Sequence, residues 1–210
     1  MIPLFKYLKS KYAHNLLFAG IVRIGTLYDF RNEELYGNTI GDLEEGKISS
    51  KMHVKHEIWN TENIPEFVTT NNFIKLQDNS NIILRNCTFS SHQQSPDCFL
   101  YCTNLYFDEK QMLKGDWDAC VLIHNPDKFF TAITNSLISD AKFEGISLCT
   151  YTSRELPPNA YNKIPPALIK DPKYSDQNEV RAIWSPIRAP IKPKIIICPE
   201  IIQYCSLVKT

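Results

Sequence analysis

Short runs rich in β-branched and aromatic residues recur along the whole chain, and this recurrence most narrows what it can fold into. PLFKYL (3–8) reads as a strand and IVRIGTLYDF as a strand entering a turn. KMHVKHEIW, NFIKLQ, NIILRNCTF and DCFLYCTNLYF have the alternation or β-branched content of further strands. DACVLIHNP, GISLCTYT, EVRAIW and KPKIIICPEIIQYCSLV continue the series, interrupted by the Pro-rich excursion ELPPNAYNKIPPALIKDPKYSDQ. Helical spacing breaks in twice. In KSKYAHNLLFAG, Tyr12, Leu16 and Leu17 share a helical face and Gly20 supplies the stop. In DKFFTAITNSLI, Phe129, Phe130, Ile133 and Leu137 do the same, with Asp127 as the predicted cap. FDEKQMLKG can begin a third helix. The pattern predicts an α+β fold dominated by strands, with an early and a central helix.

A chain of 210 residues, 43% hydrophobic and 22% charged, can bury one good core, so residues 1–210 are read as a single domain. Lys plus Arg equals Asp plus Glu, 23 against 23. No overall field therefore draws the protein onto duplex DNA or an acidic membrane, and any nucleic-acid contact must be local. Several of the seven cysteines sit inside apolar runs such as LCTY and IIICPEII, the pattern of reduced, buried thiols. The start, MIPLFKYLKSKYAHNLLF, interleaves lysines with apolar residues and has no small-residue cleavage site. No apolar run approaches the roughly 20 residues that span a bilayer. The expectation is a cytoplasmic protein with no membrane partner.

Among candidate sites, Cys98-x-x-x-Cys102 and His53-x-x-His56 come nearest to metal-ligand spacing. On strands, however, the first pair is far apart along one face and the second pair lies on opposite faces. Glycine-rich phosphate loops are absent, which excludes the common dinucleotide and P-loop fingerprints. The polar segment from Arg31 to Lys51 reads as a surface loop. Its Asp42, Glu44 and Glu45 offer a metal-dependent nuclease or hydrolase site, against the plainer reading of solvated carboxylates.

DQNEVRAIW (176–184) raises the sharpest question. Read as a strand throughout, it puts Gln177, Glu179 and Arg181 on a wet side and Asn178, Val180, Ala182 and Trp184 on a buried one. Either this is a half-exposed edge strand with ordinary charges, or Gln177 and Glu179 address one ligand together.

Two segments carry a family resemblance. LFKYLKSKYAHNLLFAGIVRIGTLYDFR resembles the opening of DarT-type nucleic-acid ADP-ribosyltransferases, and DQNEVRAIW resembles their late catalytic strand, in which a Gln or similar residue precedes the catalytic Glu. Over nearly its whole length the chain is also similar to an uncharacterised family of bacterial and phage proteins, through CFLYCT, DACVLIHNPDKF and KDPKYSDQNEVR. The transferase resemblance implies an ADP-ribosyltransferase-like split sheet and NAD as substrate. It implies Glu179 as the catalytic carboxylate, Gln177 as the residue that orients the acceptor, and Arg31 on the phosphates or ribose of NAD. Tyr7, Asn15 and Tyr28 become candidate dinucleotide contacts, Tyr28 by stacking on nicotinamide. The His of the family's first strand is replaced by Lys6 or Tyr7. Implied partners are a single-stranded nucleic acid or protein acceptor and an antitoxin or immunity protein, in a toxin system or phage–host conflict. A different class of reading is a non-catalytic nucleotide- or partner-binding module of a defence system.

Overall fold

A computed structural model describes residues 2–32, 41–114 and 117–209. Its elements are β1 (Leu4–Leu8), α1 (Ser10–Ala19), β2 (Ile21–Thr26), β3 (Lys47–Trp59), α2 (Glu66–Thr70), β4 (Ile82–Gln94), β5 (Phe99–Asn104), α3 (Glu109–Lys114) and β6 (Ala119–Ile123). There follow α4 (Pro126–Leu137), β7 (Ala141–Leu148), β8 (Thr150–Tyr151), β9 (Glu155–Leu156), β10 (Ile169–Lys170), β11 (Glu179–Pro186), β12 (Lys194–Ile197) and β13 (Cys205–Lys209). The fold is α+β and strand-rich, with an early and a central helix.

Among the described residues the central sheet has eight strands, and it forks. On one side β5 pairs with β11 along its whole length, from Phe99↔Trp184 to Asn104↔Glu179, and β11 pairs in turn with β7. On its other side β5 meets two different strands. Its first residues, Phe99 and Leu100, pair with Thr26 and Gly25 of β2, while its last, Asn104, pairs with Phe5 of β1. Beyond β2 lies β12, and beyond β1 lie β6 and β13. No strand of the described residues lies opposite Tyr101–Thr103 on this side, so a gap opens there in the sheet.

Helix α1 joins the two arms of the fork. It ends where Gly20 takes φ 63 and its N–H reaches back to the carbonyls of Asn15 and Leu16, the glycine stop that the sequence predicts. Ala13 and Leu16 form its buried face, whereas Tyr12 is 51% exposed rather than part of it. Helix α4 begins at Asn125, whose side chain accepts from the Lys128 N–H, with Pro126 in the first turn; Asp127 is not the cap. Phe129, Phe130, Ile133 and Leu137 pack under Phe99, Tyr101, Val180 and Trp184 in the main core, and Trp184 donates its indole N–H to Thr134 at 2.9 Å.

Strands β3 and β4 pair as a long antiparallel ribbon, edged by β9. NFIKLQ is no strand: Ile74 and Leu76 pack as irregular chain against Val54 and Trp59. In the segment expected as a surface loop, residues 33–40 lie outside the described residues. Asp42, Glu45 and Gly46 are buried, and β3 already begins at Lys47.

Candidate functional site

The strand read as half-wet is interior. β11 has partners on both edges, and its Glu179 and Arg181 are only 8% and 1% exposed. Gln177 is not on the strand at all. It ends a 3-10 turn (Pro172–Gln177), and Asn178 then adopts a left-handed conformation, φ 44, which re-aims the chain before Glu179 enters the sheet. Asn104 and Leu105 fix this corner by donating to the carbonyls of Gln177 and Asn178 at 2.6 and 2.9 Å.

Glu179 and Arg181 share a face because strand side chains repeat every second residue. Their interior location then demands compensation, since a buried charge is costly unless paired. Arg181 Nε donates to Glu179 Oε1 at 2.5 Å. Its Nη1 and Nη2 grip Glu45 at 2.8 and 3.2 Å, and Nη1 also donates to the Ala167 carbonyl. Glu179 Oε2 accepts from Lys170 Nζ at 2.6 Å, and the same ammonium donates to Gln177 Oε1 at 2.7 Å. Lys170 is delivered by the short strand β10. There Ile169 packs into the apolar cluster of Phe67 and Tyr161, and its neighbour Lys170 reaches Glu179. Two cations and two carboxylates thus form one buried, charge-balanced network. Burial alone would raise the Glu179 carboxyl, but Arg181, and after it Lys170, outweigh burial and hold it well below the usual carboxylate range. Burial alone would lower Lys170, but the charge of Glu179, that of Glu45 and the hydrogen bond to Glu179 together outweigh it and raise the ammonium.

This network floors a cleft of about 810 Å³ at the fork, a size typical of small-molecule and cofactor sites (~300–1,000 Å³). β1 contributes Lys6 and Tyr7, α1 contributes Tyr12 and Asn15, and β2 contributes Arg23 and Gly25. Among the described residues five cationic side chains line it (Lys6, Lys9, Arg23, Lys170 and Arg181) against the two carboxylates Glu45 and Glu179, Arg23 being paired with Asp29 at 2.6 Å. Lys6 sits in the gap itself. Its Nζ donates at 2.6 Å to the Cys102 carbonyl and stands 4.8 Å from the Tyr101 ring centre. Burial lowers its ammonium below the ordinary lysine value. Tyr7 stacks on Trp117, with ring centres 5.7 Å apart, at one wall.

Of the residues singled out in the sequence, Glu179, Gln177, Tyr7 and Asn15 meet in this cleft. Arg31 and Tyr28 do not. Arg31 lies 3.7 Å over the Tyr28 ring and donates Nε to the Glu45 carbonyl at 2.8 Å, while its buried Nη2 has no partner among the described residues. Arg31 therefore touches the back of Glu45, not the cleft. Tyr28 donates to the Ser95 carbonyl at 2.8 Å and faces a second cavity of about 1080 Å³, whose wall includes Ala167.

Asp42, Glu44 and Glu45 do not converge. Asp42 pairs with Arg154, Glu44 with Lys47 at 3.0 Å and Glu45 with Arg181. Among the described residues no group of three His, Cys, Asp or Glu side chains is placed to hold a metal ion. Nor is any described helix long and apolar enough to cross a membrane. Sequence reasoning missed Lys170 and Lys6 and took Arg181 for a solvated residue. The signal for Arg181 was present, since it sits two residues after Glu179; Lys170 opens the KDPKYSDQNEVR segment, but its spacing from Glu179 does not mark it as a partner. No family model, curated protein or solved structure matches this chain.

Proposed function

We propose that this chain is an ADP-ribosyltransferase that cleaves NAD in the fork cleft and transfers ADP-ribose to a macromolecular target, a nucleic-acid base or a protein. The observation that carries the reading is Glu179: a buried, ionised carboxylate on the floor of a cleft of cofactor size, with Gln177 beside it.

When the bond between ribose C1′ and nicotinamide breaks, its electron pair leaves with the nicotinamide, which departs neutral. Positive charge then develops on C1′ and the ring oxygen, and a fixed carboxylate near the ribose stabilises it. The acceptor's nucleophile bonds to C1′ and gives up its proton to solvent. Held by Arg181 and Lys170 well below the usual carboxylate range, Glu179 has no proton to give at neutral pH and is too weak a base to take one, so its part is electrostatic. Gln177, whose amide both donates and accepts, orients the acceptor. Lys6, Lys9 and Arg23 offer the pyrophosphate a cationic wall, and Tyr7 and Trp117 offer an aromatic one to a base or nicotinamide ring. A cytoplasmic setting in phage–host conflict or a toxin system, with an antitoxin or immunity partner, belongs to the same proposal through the resemblance.

A second reading, a non-catalytic nucleotide-binding module, is favoured by one observation: both oxygens of Glu179 are already taken by cations. Incubating the protein with labelled NAD and a lysate containing nucleic acid and protein separates the two. The transferase reading expects label in a macromolecule with wild type and its loss in Glu179→Ala and in Gln177→Ala, the latter change leaving the buried carboxylate in place. NAD bound but not consumed establishes the binding module. Neither binding nor turnover removes both.

A further inference from the structure

The β3–β4 ribbon has two unlike faces. Val54, Trp59 and Leu84 are buried beneath it with Val68 of α2, and Ile48 joins the cluster around Tyr161. Its other face is open to solvent. There Lys51, His53, Lys55 and His56 of β3 lie beside Arg85 and His92 of β4, all exposed. Regular alternation would put His53 and His56 on opposite faces. The ribbon changes phase at the Lys55/Asn86 position, where Asn86 takes φ 49, so that both fall on the solvent side.

The two strands hold four Lys and Arg residues and a single carboxylate, Glu57, together with three of the five histidines. In a chain of zero net charge this is a concentrated local excess. Lys47 and Lys51 share their charge with Glu44 and Glu155 at 3.0 and 3.6 Å, in exposed pairs that are weak in water. Lys55 and Arg85 have no carboxylate partner among the described residues. Hydroxyls lie among the cations, Thr88 opposite His53 and Ser90 opposite Lys51. Near the far end Ile58 and Ile83 sit directly opposite each other, 55% and 57% exposed, forming an apolar tip. Strands of 13 residues each make an arm roughly 40 Å long.

Both roots of the arm lie at the site. Ser95, just past β4, donates to the Gly46 carbonyl at 2.8 Å just before β3. Glu45 is the residue gripped by Arg181, and Ser95 to Cys98 line the second cavity and lead into β5 of the cleft.

We infer that the outer face of the β3–β4 ribbon docks a nucleic-acid backbone and leads it to the fork, which makes a nucleic acid the acceptor. Evenly spread cations with interleaved hydroxyls suit phosphate oxygens, a two-stranded ribbon fits a major groove, and an apolar tip suits contact with base faces. The inference rests on the transferase reading for what happens at the fork, but the docking surface itself does not depend on NAD.

The test is fluorescence anisotropy of the full chain with a labelled single-stranded oligonucleotide and with its duplex, across about 50–200 mM salt. Binding to one or both, falling linearly in log–log form with salt, is expected, and the tighter form names the acceptor's state. Lys55→Glu combined with Arg85→Glu should weaken it by about tenfold or more and make the salt slope shallower by about two. Both side chains are exposed, so melting should be unchanged, and NAD binding in the cleft should be unchanged too. Absence of salt-dependent binding to either oligonucleotide, or a double variant that binds as tightly as wild type, overturns the inference. Oligonucleotide binding without NAD turnover keeps the docking surface and removes the transferase. Label passing from NAD to protein alone, with no oligonucleotide bound, does the reverse.

Discussion

Glu45 and Arg181 stand 136 positions apart in the chain and close on each other as a two-pronged pair, Nη1 to Oε1 at 2.8 Å and Nη2 to Oε2 at 3.2 Å, both side chains only 2% exposed. This pair ties the root of the β3–β4 ribbon to the middle of the sheet. It also leaves Arg181 Nε free to hold Glu179, so the position of the candidate catalytic carboxylate depends on a residue outside its own strand.

Removing Glu179 leaves Lys170 and Arg181 buried with one carboxylate between them. Glu179→Ala should therefore cost about 3–5 kcal/mol, or a melting temperature lower by roughly 6–20 °C in a chain of this size. Thermal unfolding followed by circular dichroism checks this. A variant that melts with wild type would mean that the network does not exist in solution.

The same network sets an acid limit. The carboxyl of Glu179 is depressed in the fold, so between its folded value and its unfolded value of 4.5 the unfolded chain binds the extra proton. Its contribution is complete above that window and is lost as pH falls through it. Lys170, raised above 10.5, contributes fully below that value and loses its share as pH rises past it. Melting measured against pH should fall below about 4.5, and Glu179→Gln should flatten that limb. An identical acid limb in the variant would assign the loss to other carboxylates.

Lys6 has the opposite sign. Its ammonium is lowered by burial, so the charged form weighs against folding below the folded value, and the penalty lifts as pH rises toward 10.5. The melting temperature of Lys6→Met minus that of wild type should shrink between neutral pH and pH of about 10, while affinity for an anionic ligand in the cleft falls. A pH-independent difference would place Lys6 in water.

Gly20 joins helix α1 to the second arm of the fork. A Cβ there would lie 2.3 Å from the Cys198 carbonyl oxygen, and its φ of 63 is left-handed. Gly20→Ala should lose at least ~1–2 kcal/mol from the backbone conformation alone, with the clash adding to it. Chemical denaturation reads the change, and a midpoint equal to wild type would show that the αβ corner can move aside.

Most elements were legible because each announces itself locally. α1 shows apolar residues at helical spacing and a stopping Gly20, and the DACVLI strand runs into a Pro at the head of α4. NFIKLQ misled because its alternation serves one-sided packing against Val54 and Trp59, for which no strand partner is needed. Arg31 misled in another way. Its place in the resembling segment suggested a ligand contact, yet its guanidinium is taken up by the Tyr28 ring and the Glu45 carbonyl.

By itself the sequence determined the strand-rich α+β class, the two principal helices and the two-residue spacing that sets Glu179 and Arg181 on one strand face, all of which follow from side-chain periodicity within a few turns or a few strand residues. Only the tertiary structure decided that β5 meets both β1 and β2, that Lys170 of the short strand β10 and Glu45 from far along the chain reach Glu179 and Arg181, and that β11 is buried on both faces. Those facts depend on which strands become neighbours. Burial forces charges to find partners, but it does not say from which part of the chain the partner will come.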